Sequence, residues 1–164
     1  MKIYLAGNIS ENPQTYLWRV NFTKLIKLAA IKWDEPSSVQ VIDPCRNQFN
    51  QRLSDEVVDD GRAFLEEARK RSQHILRPKD YQLIKQSDIF VVNFQYSSPH
   101  KPMVATVMEL TWAADIFYLP IIGIFPATAN VYSGHPWIDE LMSYRVNSVE
   151  EAVAVINDFF TYVR

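Results

Sequence analysis

A single carboxylate, Glu109, stands inside the apolar run MVATVMELTWAAD that ends at Asp115. A buried carboxylate is costly unless it is paired, wetted by a cleft or used. The helical reading of Ala105 to Phe117 places Glu109 about one turn in, where backbone dipoles favour a negative charge by ~0.3–1 kcal/mol. A carboxylate held ionised there is suited to act as a nucleophile. The same position suits a structural carboxylate tied to backbone or to Tyr4, and the residues alone leave both readings open.

Other polar groups fall where strands end. In YLAGNIS, Gly7 lets the backbone bend from strand to helix, and Asn8 and Ser10 could bond a ligand or cap that helix. No Gly-x-Gly-x-x-Gly follows the first strand, so a dinucleotide fingerprint is absent. Asn93 lies near the carboxyl end of another strand, where its amide could face a cleft, and Asp88 ends a helix or caps a turn. Asp55, Glu56, Asp59 and Asp60 spread around a helix and read as a solvated face. His74 reads as a helix C-terminal histidine. Cys45 could border the cleft, with nothing visible to activate it.

Composition sets the limits. The chain has 164 residues, 48% of them hydrophobic and 22% charged, which is enough for one domain with a substantial core. A net charge of −2 argues against a surface for DNA or RNA, though not against a single nucleotide. One cysteine excludes an internal disulfide, and no Cys/His cluster has zinc spacing. MKIYLAG lacks the length and cleavage site of a signal peptide, and no apolar run reaches ~18 residues. A cytoplasmic protein without membrane partners is expected.

The elements that must position these groups alternate. Five segments read as strands covered on both faces: KIYLAG, VQVID, DIFVVNF, PIIGIF and YRVN. Helical patterns cover Pro13 to Trp33, Ser54 to His74, Pro78 to Lys85, Ala105 to Phe117 and Val149 to Tyr162. Ser148 and Glu151 form a capping box for the last. This alternation predicts one α/β domain over residues 1–164, a three-layer fold with a five-stranded parallel sheet in the flavodoxin-like order 2-1-3-4-5. The loops at the carboxyl ends of the strands are where such sheets bind ligands.

KIYLAG, KDYQLIKQSDIFVVNF, ATVMELTWA, GHPWI and VNSVEEAVAVI occur in that order, and with that spacing the chain resembles the nucleoside 2-deoxyribosyltransferase superfamily over nearly its whole length. The region from Pro44 to Arg77 carries least of the likeness. The resemblance implies that Glu109, in Ala105-Thr106-Val107-Met108-Glu109-Leu110, attacks the anomeric carbon to form a glycosyl-enzyme intermediate. It implies that Asp80 protonates or holds the departing base, and that Tyr4 orients Glu109. It further implies a homo-oligomer in which a neighbour completes each site, and small-molecule nucleosides or nucleotides as substrates. Two positions depart from the pattern: Ala105 replaces a glycine before Thr106, and Met103 stands where some members place an aspartate or serine. The loop with Ser97, Ser98, His100 and Lys101 could take over contact with the 5′ end of the sugar.

The chemistry is consistent with the residues. Breaking an N-glycosidic bond passes through an oxocarbenium-like centre that a carboxylate stabilises and traps, while a second carboxyl protonates the base. No metal or organic cofactor is needed. Ser10, Arg19, Ser97 and Ser98 could read a 5′-phosphate, which would favour hydrolysis of a nucleoside 5′-monophosphate over base exchange, although an exposed salt bridge is the simpler reading of Arg19. Tyr16, Trp18, Phe49, Tyr96 and Trp112 could each stack on a base or belong to the core. His135 before Pro136 reads as part of a turn. The rival from another class is a flavodoxin-like domain that binds a nucleotide without turnover. Its receiver-domain version fails because Gly7-Asn8 and Asn93 stand where acidic residues are required.

Overall fold

The computed structural model describes residues 1–9, 12–31, 39–46, 62–97, 100 and 102–160, with backbone alone at 31 and 62–73. Five parallel strands, β1 (Lys2–Gly7), β2 (Gln40–Ile42), β3 (Ile89–Asn93), β4 (Ile121–Ile124) and β5 (Tyr144–Val146), form one sheet in the order β2-β1-β3-β4-β5. The helices are α1 (Gln14–Ile31), α2 (Arg62–Lys85), α3 (Val104–Thr111), α4 (Pro136–Glu140) and α5 (Val149–Phe160). The expected strand order holds.

Strand parity sorts the core. Successive side chains of a strand point to opposite faces. Ile3 and Leu5 of β1, with Ile89 and Val91 of β3, pack under Phe22 and Ile26 of α1 and Ile156 of α5. Tyr4 and Ala6, with Phe90 and Val92, face the other layer, where Ile84 of α2 and Leu110 of α3 cover them. Tyr4 therefore points at α3 because it is an even residue of β1. Its ring stacks on Phe90, its register partner, at 5.4 Å.

Three elements differ from the sequence reading. Two helices were expected across residues 54–85, whereas the described part is one helix, α2, which continues through Pro78. Proline lacks only its own N–H rung and clashes locally, and the buried Ile84 and half-buried Leu83 hold the last turns against the sheet. His74 is consequently mid-helix rather than at a C-terminus. The helix after Glu109 does not run on as α-helix to Phe117: a π-helical turn, Trp112–Ile116, follows α3, with the Phe117 N–H on the Trp112 carbonyl at 3.0 Å. Lastly, His135-Pro136 opens the short helix α4, in which proline at the first position suits a free N–H site.

The smaller expectations concern caps. Glu151 N–H donates to Ser148 Oγ at 3.1 Å, and the Glu151 carboxylate accepts from Asn147 N–H at 2.8 Å, so the box closes one residue earlier than the standard pattern. Asp88 accepts the Lys2 N–H at 2.6 Å and donates its own N–H to the Lys2 carbonyl at 2.8 Å, which pins the start of β1 to the turn before β3. The cap of α1 comes from Asn12, whose Oδ1 accepts the Gln14 N–H at 3.0 Å. The acidic cluster Asp55 to Asp60 lies outside the described residues. No described helix is long and apolar enough to cross a membrane.

Candidate active site

A cleft of about 460 Å³ opens at the carboxyl end of β1. The turn after β1, the last part of α2 and the first turns of α3 bound it, with Asp80 and Glu109 both in its wall. Helical period explains the exposure of α3. Thr106, Leu110 and Ala113 are buried at spacings of four and three, and Ala105, Met108 and Trp112 line the cleft. Glu109 falls on the border between the two stripes and is 9% exposed.

Tyr4 Oη donates to Glu109 Oε1 at 3.0 Å, a buried contact between β1 and α3. Burial, and then the nearby carboxylates Glu109 and Asp80, push the Tyr4 phenol far above its ordinary range, so it remains a donor. Burial raises Glu109 from 4.5 to about 7, and Asp80 adds to the rise, while Tyr4, Arg19 and Lys79 pull it down. The helix start was expected to favour the ionised form of Glu109; burial acts in the opposite direction and is the largest influence on its pKa. Burial also raises Asp80, opposed by Lys79, whose Nζ lies 3.1 Å from Asp80 Oδ1. Two carboxyls whose pKa values burial raises thus share one cleft, the setting in which one can act as an acid beside the other.

Arg19 is neither exposed nor in a surface salt bridge. At 1% exposure it reaches back under the β1 turn. Its Nη2 donates to the Gly7 carbonyl at 3.0 Å, and its Nη1 to the carbonyls of Asn8, at 3.4 Å, and Thr15. Its Nε lies 3.5 Å from Asp43 Oδ1, and the guanidinium covers the Trp18 ring at 4.7 Å. The turn is thus built around a buried cation whose charge also favours ionised Glu109. Gly7 fits this turn because of crowding: a Cβ there would lie 3.1 Å from both the Asn93 carbonyl oxygen and the Trp18 ring.

Of the residues singled out from sequence, Gly7, Asn8, Arg19, Asp80, Thr106 and Glu109 meet at the cleft, with Tyr4 behind Glu109. Asn8 is buried, its amide donating to the Tyr96 carbonyl at 2.8 Å. Asn93 does not line the cleft: its Oδ1 accepts the Gln95 N–H at 2.8 Å and closes the turn after β3. Ser97 is also away from it, accepting from Asn130 Nδ2 at 2.9 Å. Ser10 and Ser98 lie outside the described residues, as does Phe49. Trp18 belongs to the core, while Trp112 lines the cleft. Cys45 is buried, and burial pushes its thiol up to about 12.

Sequence reasoning missed Arg77, Lys79 and Tyr132. The first two line the cleft beside Asp80, and their spacing on one helix was the available signal. Tyr132 Oη accepts the Met103 N–H at 2.7 Å at the entry to α3, and its ring stacks on Phe94 at 5.1 Å. Nothing local in the sequence marks that contact. Among the described residues, no three His, Cys, Asp or Glu side chains cluster as a metal site would require.

No protein-family model matches the chain, and no curated protein matches it. Solved structures do. A 2-deoxyribosyltransferase from Bacillus psychrosaccharolyticus is 17% identical, with a TM-score of 0.62 over 93% of this chain and 90% of that one. A 2-deoxyribosyltransferase from Leishmania mexicana is 16% identical, with a TM-score of 0.56 over 98% of this chain and 99% of that one. A CMP N-glycosidase from Clostridium botulinum is 14% identical, with a TM-score of 0.49 over 96% of this chain and 99% of that one. At these identities the likeness is one of fold: along nearly its whole length, this chain has the α/β fold of the 2-deoxyribosyltransferases.

Proposed function

We propose that the protein cleaves the N-glycosidic bond of a deoxynucleoside and transfers the deoxyribosyl group to a second nucleobase. The observation that carries this reading is the Tyr4–Glu109 hydrogen bond inside a cleft that also holds Asp80. The fold shared with 2-deoxyribosyltransferases agrees with it.

In the first half-reaction, a Glu109 carboxylate oxygen bonds to the anomeric carbon as the bond to the base nitrogen breaks. The bonding pair leaves with the base, and the Asp80 carboxyl supplies a proton to it. Lys79 then sits beside the new Asp80 carboxylate and stabilises it. In the second half, Asp80 takes a proton from the incoming base, whose nitrogen displaces Glu109. Tyr4 holds one Glu109 oxygen by donation throughout, leaving the other for attack. Arg19 contributes a buried positive charge that favours the ionised nucleophile.

Hydrolysis of a nucleoside 5′-monophosphate is the second reading. The engagement of Arg19 with three backbone carbonyls supports transfer over it, because that guanidinium is already occupied. The reading also includes a homo-oligomer: Ile9, Val104 and Met108 are exposed apolar side chains in the wall of the cleft, where a second copy would cover them.

The test is chromatographic. Wild type and Glu109→Ala are incubated with deoxynucleosides and 5′-monophosphates, with and without a second free base. Transfer predicts a new nucleoside from wild type alone. Free sugar or sugar phosphate as the sole product would select hydrolysis, and equal turnover by Glu109→Ala would remove Glu109 as the nucleophile.

A further inference from the structure

Beside the two carboxyls, the cleft carries a cation and an aromatic ring for which the proposed chemistry has no use. Arg77 and Asp80 are three residues apart on α2, and Glu109 and Trp112 are three apart across the end of α3. Residues at that spacing share a helix face and are displaced by ~4.5 Å along its axis. That is about the width of a single heterocyclic ring. Each helix therefore supplies one carboxyl and, one turn away, one partner of a second pair. In that pair the Arg77 guanidinium lies over the Trp112 ring at 5.5 Å from its centroid. Tyr81 makes a T-shaped contact with the same indole at 5.4 Å.

The basic side chains that join Asp80 in this wall add donors and no acceptors. Arg77 and Lys79 donate and accept nothing. The Pro44 carbonyl nearby already faces Lys79 Nζ at 3.5 Å. An exocyclic carbonyl on a base would find donors here, whereas an exocyclic amine would meet two cations and compete with Lys79 for Asp80. Trp112 adds a flat apolar surface of the kind on which any base stacks.

Resting on the glycosidic-bond reading above, we infer that Arg77 and Trp112 form the nucleobase subsite of this cleft and select oxo-bases (hypoxanthine, uracil, thymine) over amino-bases (adenine, cytosine). Trp112 supplies stacking without regard to base, and Arg77 supplies the preference by donating to the exocyclic oxygen. The preference belongs to the side chain that can be shortened without disturbing the core, since Arg77 is exposed.

The experiment compares kcat/KM for base release from deoxyinosine and deoxyuridine with that from deoxyadenosine and deoxycytidine, in wild type, Arg77→Met and Trp112→Leu. Wild type is expected to favour the oxo substrates by about tenfold, the discrimination of one well-placed donor pair. Arg77→Met should collapse that ratio towards one, while Trp112→Leu should weaken both classes with the ratio preserved. A wild-type preference for amino substrates, or a ratio unchanged in Arg77→Met, overturns the inference and leaves the glycosidic reading standing. If no substrate turns over, that reading has failed, and titration calorimetry with free hypoxanthine and free adenine reads the subsite directly. Tighter hypoxanthine binding that is lost in Arg77→Met would then support the subsite, and equal binding would overturn it.

Discussion

Moving Glu109 from water to the contact between β1 and α3 raises its pKa from 4.5 to about 7, and the rise has a thermodynamic consequence. The folded state binds more protons than the unfolded chain between those values, so stability falls as pH climbs through that window. Above pH 7 the penalty is on the order of 3 kcal/mol. Glu109→Gln keeps an acceptor for Tyr4 and removes the charge. The variant is expected to be more stable than wild type at pH 8 and to converge with it near pH 4.5, measured as urea midpoints at both pH values. The same ionisation governs catalysis in the proposed reaction, because only the carboxylate attacks. kcat/KM should fall about tenfold per pH unit on the acid side of pH 7. Tyr4→Phe removes a bond that favours the carboxylate, so this acid limb should move to higher pH, with rate partly recovered there. Asp80→Asn removes a neighbouring negative charge, so its acid limb should move to lower pH even as base departure slows. Matching limbs in all three proteins would show that Glu109 is not the titrating group.

At the level of elements, the site depends on how tightly the β1 turn is packed against its neighbours. Gly7 sits between the Asn93 carbonyl and the Trp18 ring, each 3.1 Å from where a Cβ would stand. Neither can yield without moving β3 or the indole under Arg19, so Gly7→Ala should cost about 1–3 kcal/mol. Chemical denaturation measures that loss. It should be accompanied by lower activity, because Arg19 also bonds the Gly7 carbonyl. At the far end of the chain, the α5 cap is a local device. Ser148→Ala should cost about 1 kcal/mol in the same measurement and leave the kinetics alone. The extents of β1 and of the helix carrying Glu109 could be read from the sequence, and the resemblance paired Tyr4 with Glu109; the face each presents follows from strand parity and helical period once those elements are placed. The π-helical turn and the continuity of α2 through Pro78 could not be read there, because both depend on the layer beneath them.

Across the whole molecule, the two apolar layers divide the labour. Both carboxyls of the cleft come from the layer of α2 and α3, while α1, apart from Arg19 at the cleft, and α5 cover the opposite face of the sheet. Ile156 and Leu110 are both fully buried, one in each layer. Truncating either to alanine should cost about 2–5 kcal/mol. The consequences for function should differ. Ile156→Ala is expected to retain the turnover of the folded protein, whereas Leu110→Ala should lose it, since Leu110 follows Glu109 and anchors α3 to the sheet. Turnover normalised to folded fraction, measured well below each melting midpoint, separates the two.

The sequence by itself determined the alternation of strands and helices and the identity of the isolated carboxylate, because these follow from local periodicity and from one charge out of place; the 2-1-3-4-5 order was the arrangement expected of five alternating strands, and the fold has it. Its order of short motifs also pointed to Asp80 and Tyr4. Tertiary structure alone decided the environment of each group. Arg19 became a buried strut because the β1 turn left carbonyls without partners, and Asn93 was drawn into a turn instead of the cleft. Arg77 joined Trp112, and Tyr132 reached the start of α3, through contacts between residues far apart in the chain. Local patterns fix which way a side chain faces. What it meets there depends on how the layers pack, and desolvation by that packing set the pKa of Glu109.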